Sequence, residues 1–287
     1  MSLKDANILV KVSVHRFSFR DKDKEMKKDL TDKYEVDPDM LSLTKSLFLK
    51  ESIKDIERAC GQIMPMLYKY TTPWRDGGWR LLPIGLQKEL EDELRAITDV
   101  ELQEALQKFA EGYDDHVLLA KNKLGLAFRE ESYPGAEYIL DKFNVDIRYD
   151  VITDESDLKV NAPEELRDKL FKNAQERAIG EKMRGMEDIW VRVKDIIEHA
   201  YTRLTAIKEE GKKEPKLFAS IITNIQDLVP LLTHLNFTGD PHLEAIRKEI
   251  EEKFADITIE DIKKDDDLKK EKIADTKRIL DDIATVL

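Results

Sequence analysis

Residues 49–67 read LKESIKDIERACGQIMPML, and this stretch fixes the fold class. Leu49, Ile53, Ile56, Cys60, Ile63 and Leu67 recur at intervals of 4, 3, 4, 3 and 4 residues. That spacing places all six on one stripe of a helix, the seam pattern of a coiled coil. On the C-terminal side, residues 71–83, TTPWRDGGWRLLP, break the helix. Asp76-Gly77-Gly78 is a turn signal, and the run from Trp79 to Leu82 predicts a short strand. Helical periodicity returns over residues 84–97. Thr98, with Glu101 three residues on, predicts a capping box for a further helix. Leu102, Leu106, Phe109, Tyr113, Val117, Ala120 and Leu124 form its seam. Two seams joined by a turn segment imply an antiparallel helical hairpin.

On the N-terminal side, Ile8, Val10, Val12 and Val14 alternate with polar residues, the period of a half-buried strand. Phe17 and Phe19 fall on the opposite parity, so a bulge near His15–Arg16 is expected. Residues 20–35 form a charged connection. Beyond the hairpin, Phe143, Val145, Ile147, Tyr149 and Val151 alternate strictly with polar residues. They predict a second strand paired with the first.

Residues 153–162 read as a linker. A long helix is expected from Pro163, well placed for a first turn, to about residue 208. Met186, Ile189, Val193, Ile196 and Ala200 face inward, and GKKEP at 211–215 ends the helix. Residues 217–235 predict a nearly buried helix, bent or stopped near Pro230. Asp240-Pro241 opens another, with Ile246, Ile250 and Phe254 on one face. Ile273, Ile279, Leu280 and Ile283 mark a last one. No internal repeat recurs at a fixed period. The expected fold is α+β and predominantly α-helical: a long antiparallel helical hairpin with a small antiparallel sheet, then a helical bundle. Two domains are expected, residues 1–155 and 163–287.

Composition agrees. Of 287 residues, 41% are apolar and 38% charged, with only 11 glycines and 9 prolines. A charged share well above the usual quarter favours salt-rich helices over a β-sandwich. The net charge is −12. Residues 1–152 carry 24 basic and 29 acidic residues, and residues 153–287 carry 24 and 31. Neither half offers the basic field that nucleic acid attracts. Residues 1–33, with 9 basic and 6 acidic residues, are locally biased. The one cysteine, Cys60, precludes an internal disulfide and suits a reducing compartment. The N-terminal apolar run is too short and alternating for a signal peptide. No stretch approaches the roughly 18–20 apolar residues of a membrane span. A cytoplasmic location is expected, with no membrane partner.

The sequence holds no recognisable catalytic apparatus. The histidines (His15, His116, His199, His234 and His242) form no HExxH, and a lone cysteine cannot build a zinc knuckle. His234 and His242 read as loop or capping residues, so no metal and no cofactor is expected. Ser42-Leu43-Thr44-Lys45 matches S-x-x-K without the S-D-N and K-T-G partners of the penicillin-recognising enzymes; Ser42 or Thr44 is expected to cap the following helix. Asp265-Asp266-Asp267 lacks the glycine and glutamate of an EF-hand loop. Glu89, Glu91, Asp92 and Glu93 share one helical turn whose buried side is set by Leu86, Leu90 and Leu94, so these acids face water. An enzyme assembled from scattered acids would instead bury carboxylates together.

Two surfaces can carry recognition. Trp74, Arg75, Trp79 and Arg80 flank the turn at Asp76-Gly77-Gly78, where they could stack on bases or form a protein hot spot. The same tryptophans could instead lock the turn onto the sheet. The first strand adds Lys11, His15, Arg16, Phe17, Phe19 and Arg20, a basic and aromatic set followed at once by Asp21, Asp23 and Glu25. The expected interaction surface is Trp74, Arg75, Trp79, Arg80, Lys11 and Arg16.

The layout resembles the bacterial and phage family of domain of unknown function 3150. The shared features are NILVKVSVHRFSF, IKDIERACGQIM, GGWRLLP, FNVDIRY ahead of a long helix, DIWVRVKDIIEHAYTRL, and LVPLLTHLNFTGDPHLEAI before a final helix. Together they span nearly the whole chain. The family brings no catalytic residues. The resemblance implies a protein of a phage or other mobile element in a bacterial host, encoded near MoxR-type AAA+ ATPases and von Willebrand A-like proteins. This chain is richer in Lys and Asp and poorer in Ala and Arg than many members. The expected function is a non-catalytic scaffold or adaptor with a protein partner or self-association as a homo-oligomer. The alternative is a protein that binds single strands or DNA ends in phage DNA metabolism.

Overall fold

The computed structural model describes residues 3–153, 163–206 and 217–287. The architecture is α+β and predominantly helical, as the seams require. In chain order the elements begin with α1 (Leu3–Ala6), β1 (Asn7–His15), β2 (Arg20–Lys22), α2 (Lys24–Tyr34), β3 (Thr44–Ser46) and α3 (Lys50–Tyr70). There follow β4 (Thr72–Pro73), β5 (Arg80–Pro83), α4 (Gln87–Arg95), α5 (Leu102–Glu111), α6 (Tyr113–Leu124), α7 (Ala136–Leu140) and β6 (Asn144–Asp150). The last are α8 (Glu164–Thr205), α9 (Ser220–Leu235), α10 (Pro241–Phe254), α11 (Ile259–Lys264) and α12 (Asp266–Ile283).

One sheet has the order β4-β5-β1-β6, and β2 and β3 form a separate antiparallel ribbon. In the larger sheet, Asn7–Val10 pair antiparallel with Pro83–Arg80 and β4 pairs antiparallel with β5. β6 lies beside β1 as expected. It is an edge strand, and none of its residues is buried. Its sequence alternation is not matched by burial: Val145 and Ile147 are half-covered, as are Asp146 and Asp150, while Tyr149 is exposed.

The chain divides into two compact units. The first comprises residues 1–11, 70–88 and 149–287; the second, residues 12–69 and 89–148. The expected boundary was a single cut between residues 155 and 163. Instead the first strand and the 70–88 segment belong with the C-terminal helices, because β5 pairs with the start of β1. The linker at 153–162 lies outside the described residues except for Thr153, as does GKKEP.

In the second unit, α3 buries Ile53, Ile56, Cys60, Ile63 and Leu67. Leu90, Leu94, Leu102, Leu106 and Phe109 of the following helices are buried too. Lys69 meets Glu93 at 3.4 Å and Lys108 meets Asp55 at 3.4 Å. One ladder thus descends α3 as the other ascends α4 and α5, which makes the pair antiparallel. Phe19, Phe48, Phe109, Tyr113 and Tyr133 close the end of this core through edge-on and tilted contacts. Such pairs add about 0.5–1.5 kcal/mol each beyond area burial.

Several local expectations give way. No helix begins at Thr98: residues 96–101 form a π-helical turn that joins α4 to α5, and the Thr98 hydroxyl bonds Asp99 instead. Ser42 and Thr44 cap nothing at α3, because Thr44 lies in β3 and α3 starts at Lys50. β1 stops at His15, before the change of parity at Phe17.

In the first unit, α8 packs on β4, α9 and α12, and α9 packs on α10. The buried row of α8 is Gly185, Ile189, Val193, Ile197, Ala200 and Leu204. Of the expected inward residues, Ile189, Val193 and Ala200 are in that row, while Met186 and Ile196 lie beside it, half-buried. α9 runs unbroken through Pro230. Asp240 caps α10 by accepting from the His242 and Leu243 amides. α11 carries a capping box between Thr258 and Asp261, and Asp265 caps α12, which gives the acidic run its place.

Candidate interaction surfaces

The Trp/Arg turn is held from within. Gly77 and Gly78 adopt φ of +78° and +84°, a region that side chains rarely enter. The four residues Arg75–Gly78 thereby reverse the chain between Trp74 and Trp79, whose backbones bond at 3.2 Å. Trp74 is buried with Leu9, Leu81 and Ile152 and meets Phe237 edge-on. Arg80 donates from Nε to Thr71 Oγ1 at 2.6 Å and from a terminal nitrogen to the Thr71 carbonyl at 3.0 Å. Arg75 stacks over the Trp79 ring at 5.1 Å and bonds Asp150 at 2.5 Å. Trp74 therefore has no face left for a base, and Arg80 serves the end of α3. Of the four, Arg75, Trp79 and Arg80 keep partial exposure and only Trp74 is buried.

The segment after β1 differs. Residues 16–20, RFSFR, run along α3 in the second unit. With Ile56, Glu57 and Cys60 of α3 and with Phe143, they line an open hollow of about 530 Å³. That is within the range of ligand-binding clefts. Phe19 is buried and meets Phe17 and Phe143 at 5.5 and 6.0 Å. Phe17 is half-exposed, while Arg16 and Arg20 are exposed. Neither guanidinium has a hydrogen bond or ion pair among the described residues. Arg75, Arg80, Arg129, Arg192, Arg247 and Arg278, by contrast, are each engaged by the protein itself. Phe17 thus shares the wall of the hollow with two unclaimed cations.

Cys60 lies at the floor of this hollow. Burial pushes its thiol above the ordinary range, Arg16 partly opposes that, and Glu57 reinforces it. The sequence marked Cys60 only as a seam residue; the segment after β1 that shares its hollow could not be read from spacing. Lys11 and His15 do not line the hollow.

Other candidates resolve into structure. Lys45 of the S-x-x-K match bonds the Ala127 carbonyl at 2.7 Å and meets Asp23 at 3.3 Å. Among the acids of α4, Glu91 and Glu93 pair with Arg95 and Lys69. Among the described residues, no group of three or more His, Cys, Asp or Glu is arranged to hold a metal ion. No helix there is long and apolar enough to cross a membrane.

No family model, no curated protein and no solved structure matches this chain.

Proposed function

We propose that the protein is a non-catalytic adaptor that docks an acidic, apolar-tipped segment of a partner protein in the hollow beside α3. The observation that carries this reading is the pair of unclaimed guanidiniums, Arg16 and Arg20, that share the wall of the hollow with Phe17. A carboxylate-bearing segment satisfies both cations, while the Phe17, Phe19 and Phe143 rings take its apolar side chain. The resemblance to domain of unknown function 3150 supports a mobile-element setting and a MoxR-type AAA+ ATPase as the machine served. Self-association through the α3 seam loses support, because Ile56, Ile63 and Leu67 are at most 2% exposed.

A second reading rests on the same three residues. An aromatic ring sharing a wall with two arginines also suits a single-stranded nucleic acid, with a base on the ring and phosphates on the guanidiniums. The net charge of −12 repels both ligands, and a strand with a phosphate at every nucleotide more than a short acidic segment.

Fluorescence anisotropy with a labelled Glu/Phe peptide and an oligothymidylate of equal length tests both. The adaptor reading expects the peptide to bind more tightly and to slow alkylation of Cys60, with both effects lost in Arg16→Glu/Arg20→Glu. An oligonucleotide that binds more tightly, with affinity falling steeply in salt, installs the second reading. Binding of neither probe removes both.

A further inference from the structure

In the first unit, the row of α8 that faces the sheet runs Ala174, Ala178, Glu181 and Gly185. A carboxylate stands where the pattern calls for a small apolar residue. Glu181 is only 7% exposed. It forms no hydrogen bond and no ion pair among the described residues. The side chain is largely covered, while its carboxylate oxygens keep contact with the open cleft beside them.

The carboxylate lines a cleft of about 100 Å³ with Trp74, Arg75, Ala174, Arg177 and Ala178. Arg177 is one helical turn before Glu181 and exposed. It too has no ion pair, although side chains four apart on a helix lie about 6 Å from each other. Carboxylate and guanidinium thus flank the same space without closing on each other. Arg75 is drawn aside by Asp150 and Trp79. Leu9, Ala174 and Ala178 add apolar wall and Thr153 a polar one, and the space suits a molecule of a few heavy atoms.

We infer that this cleft binds a small α-amino acid as its zwitterion, the ammonium on Glu181 and the carboxylate on Arg177. A simple cation would satisfy Glu181 but meet Arg177, Arg184 and Arg75 unfavourably. A simple anion would satisfy Arg177 but face Glu181. A molecule with both charges two bonds apart answers both, and Leu9, Trp74 and the two alanines leave room only for a short side chain. The site is independent of the hollow beside α3.

Calorimetric titration of the full chain with glycine, alanine and serine tests this, with N-acetylalanine and alaninamide as singly charged controls. The expected result is saturable binding of at least one free amino acid below about 10 mM. Each control, and each of Glu181→Gln and Arg177→Met, then binds at least about ten-fold more weakly. Arg177 is on the surface, so its variant tests the site even if Glu181→Gln fails to fold. Heat-free titrations for all three amino acids, controls that bind as well as the zwitterion, or an Arg177→Met protein with undiminished affinity overturn the inference.

Discussion

The Asp23 carboxylate is shared between a helix and a strand: it accepts from the Met26 amide at 2.9 Å, capping α2, and meets the Lys45 ammonium of β3 at 3.3 Å. Both side chains are at most 10% exposed. The Met26 amide first, and Lys45 after it, hold the Asp23 carboxyl below its ordinary value of 3.8. Its folded pKa is thus lower than its unfolded one. The stabilisation is present above the ordinary carboxylate range and is lost as pH falls through the lowered value. Asp23→Ala is expected to cost about 1–3 kcal/mol at neutral pH, since it removes the α2 cap and one of the two partners of the Lys45 ammonium, which keeps the Ala127 carbonyl. Urea unfolding checks this, and the deficit should narrow in acid.

The antiparallel helix pair has a core and a rim that respond differently. Ile63→Ala removes a side chain that is 0% exposed and should cost about 2–5 kcal/mol. Lys108→Ala removes a partner that is 78% exposed and should stay within about 0.5 kcal/mol. Because the seam is satisfied inside one chain, Ile63→Ala should lower the unfolding midpoint without changing the solution mass of the folded protein.

Cys60 reports on its hollow. With its thiol pushed above the ordinary 9.0 mainly by burial, alkylation by iodoacetamide should be slow at pH 8 and keep accelerating beyond pH 9. A rate that levels off at or below pH 9 would contradict the buried placement.

Glu181 predicts the opposite pH trend to Asp23. Burial raises its pKa above 4.5, with Arg177, Arg184 and Arg75 opposing and Asp76 reinforcing. The folded protein therefore holds this proton to higher pH than the unfolded chain. Stability from this residue is greatest near pH 4 and falls as pH rises through the folded value. Glu181→Gln should flatten that part of the stability profile measured by thermal unfolding.

In α12, Lys272 is 3% exposed and meets Asp275 at 3.0 Å and Glu271 at 2.9 Å, with its ammonium 5.5 Å from the Phe254 ring. Asp275→Ala alone should cost about 3–5 kcal/mol. The double change Lys272→Met/Asp275→Leu should recover most of the loss, because both charges leave together.

What the sequence disclosed follows from period. Ile53 to Leu67, the Gly77-Gly78 turn and the Asp240-Pro241 start are local signals, and each element stands where its signal lies. In α8 the spacing found Ile189, Val193 and Ala200, all buried, but took Met186 and Ile196 where Gly185 and Ile197 are covered, because cover from α9 and α12 decides which flank of a 42-residue helix is dry. Thr98 carried a valid capping pattern that continuous packing of Leu94, Ile97 and Leu102 overrode. Trp74 and Arg80 are composition signals whose partners, Phe237 and Thr71, pattern alone does not reveal. The hollow needed Arg16–Arg20 to be set against Ile56–Cys60, about 40 residues away. Glu181 was legible as an acid in an apolar row, although sequence could not show that the row faces a cleft.

The interleaving of the two units has a consequence for how the protein is made. The second unit is complete once residue 148 has left the ribosome. The first unit begins earlier, at its first strand, yet cannot finish until α12 has been synthesised. β1 and the Trp74–Trp79 hairpin must therefore wait, half-covered, through the translation of more than a hundred further residues. At roughly 5–20 residues per second that wait lasts about 10–40 seconds. A truncated transcript ending anywhere in α8–α12 yields a chain with one finished unit and one exposed sheet face, the kind of species that quality-control proteases recognise.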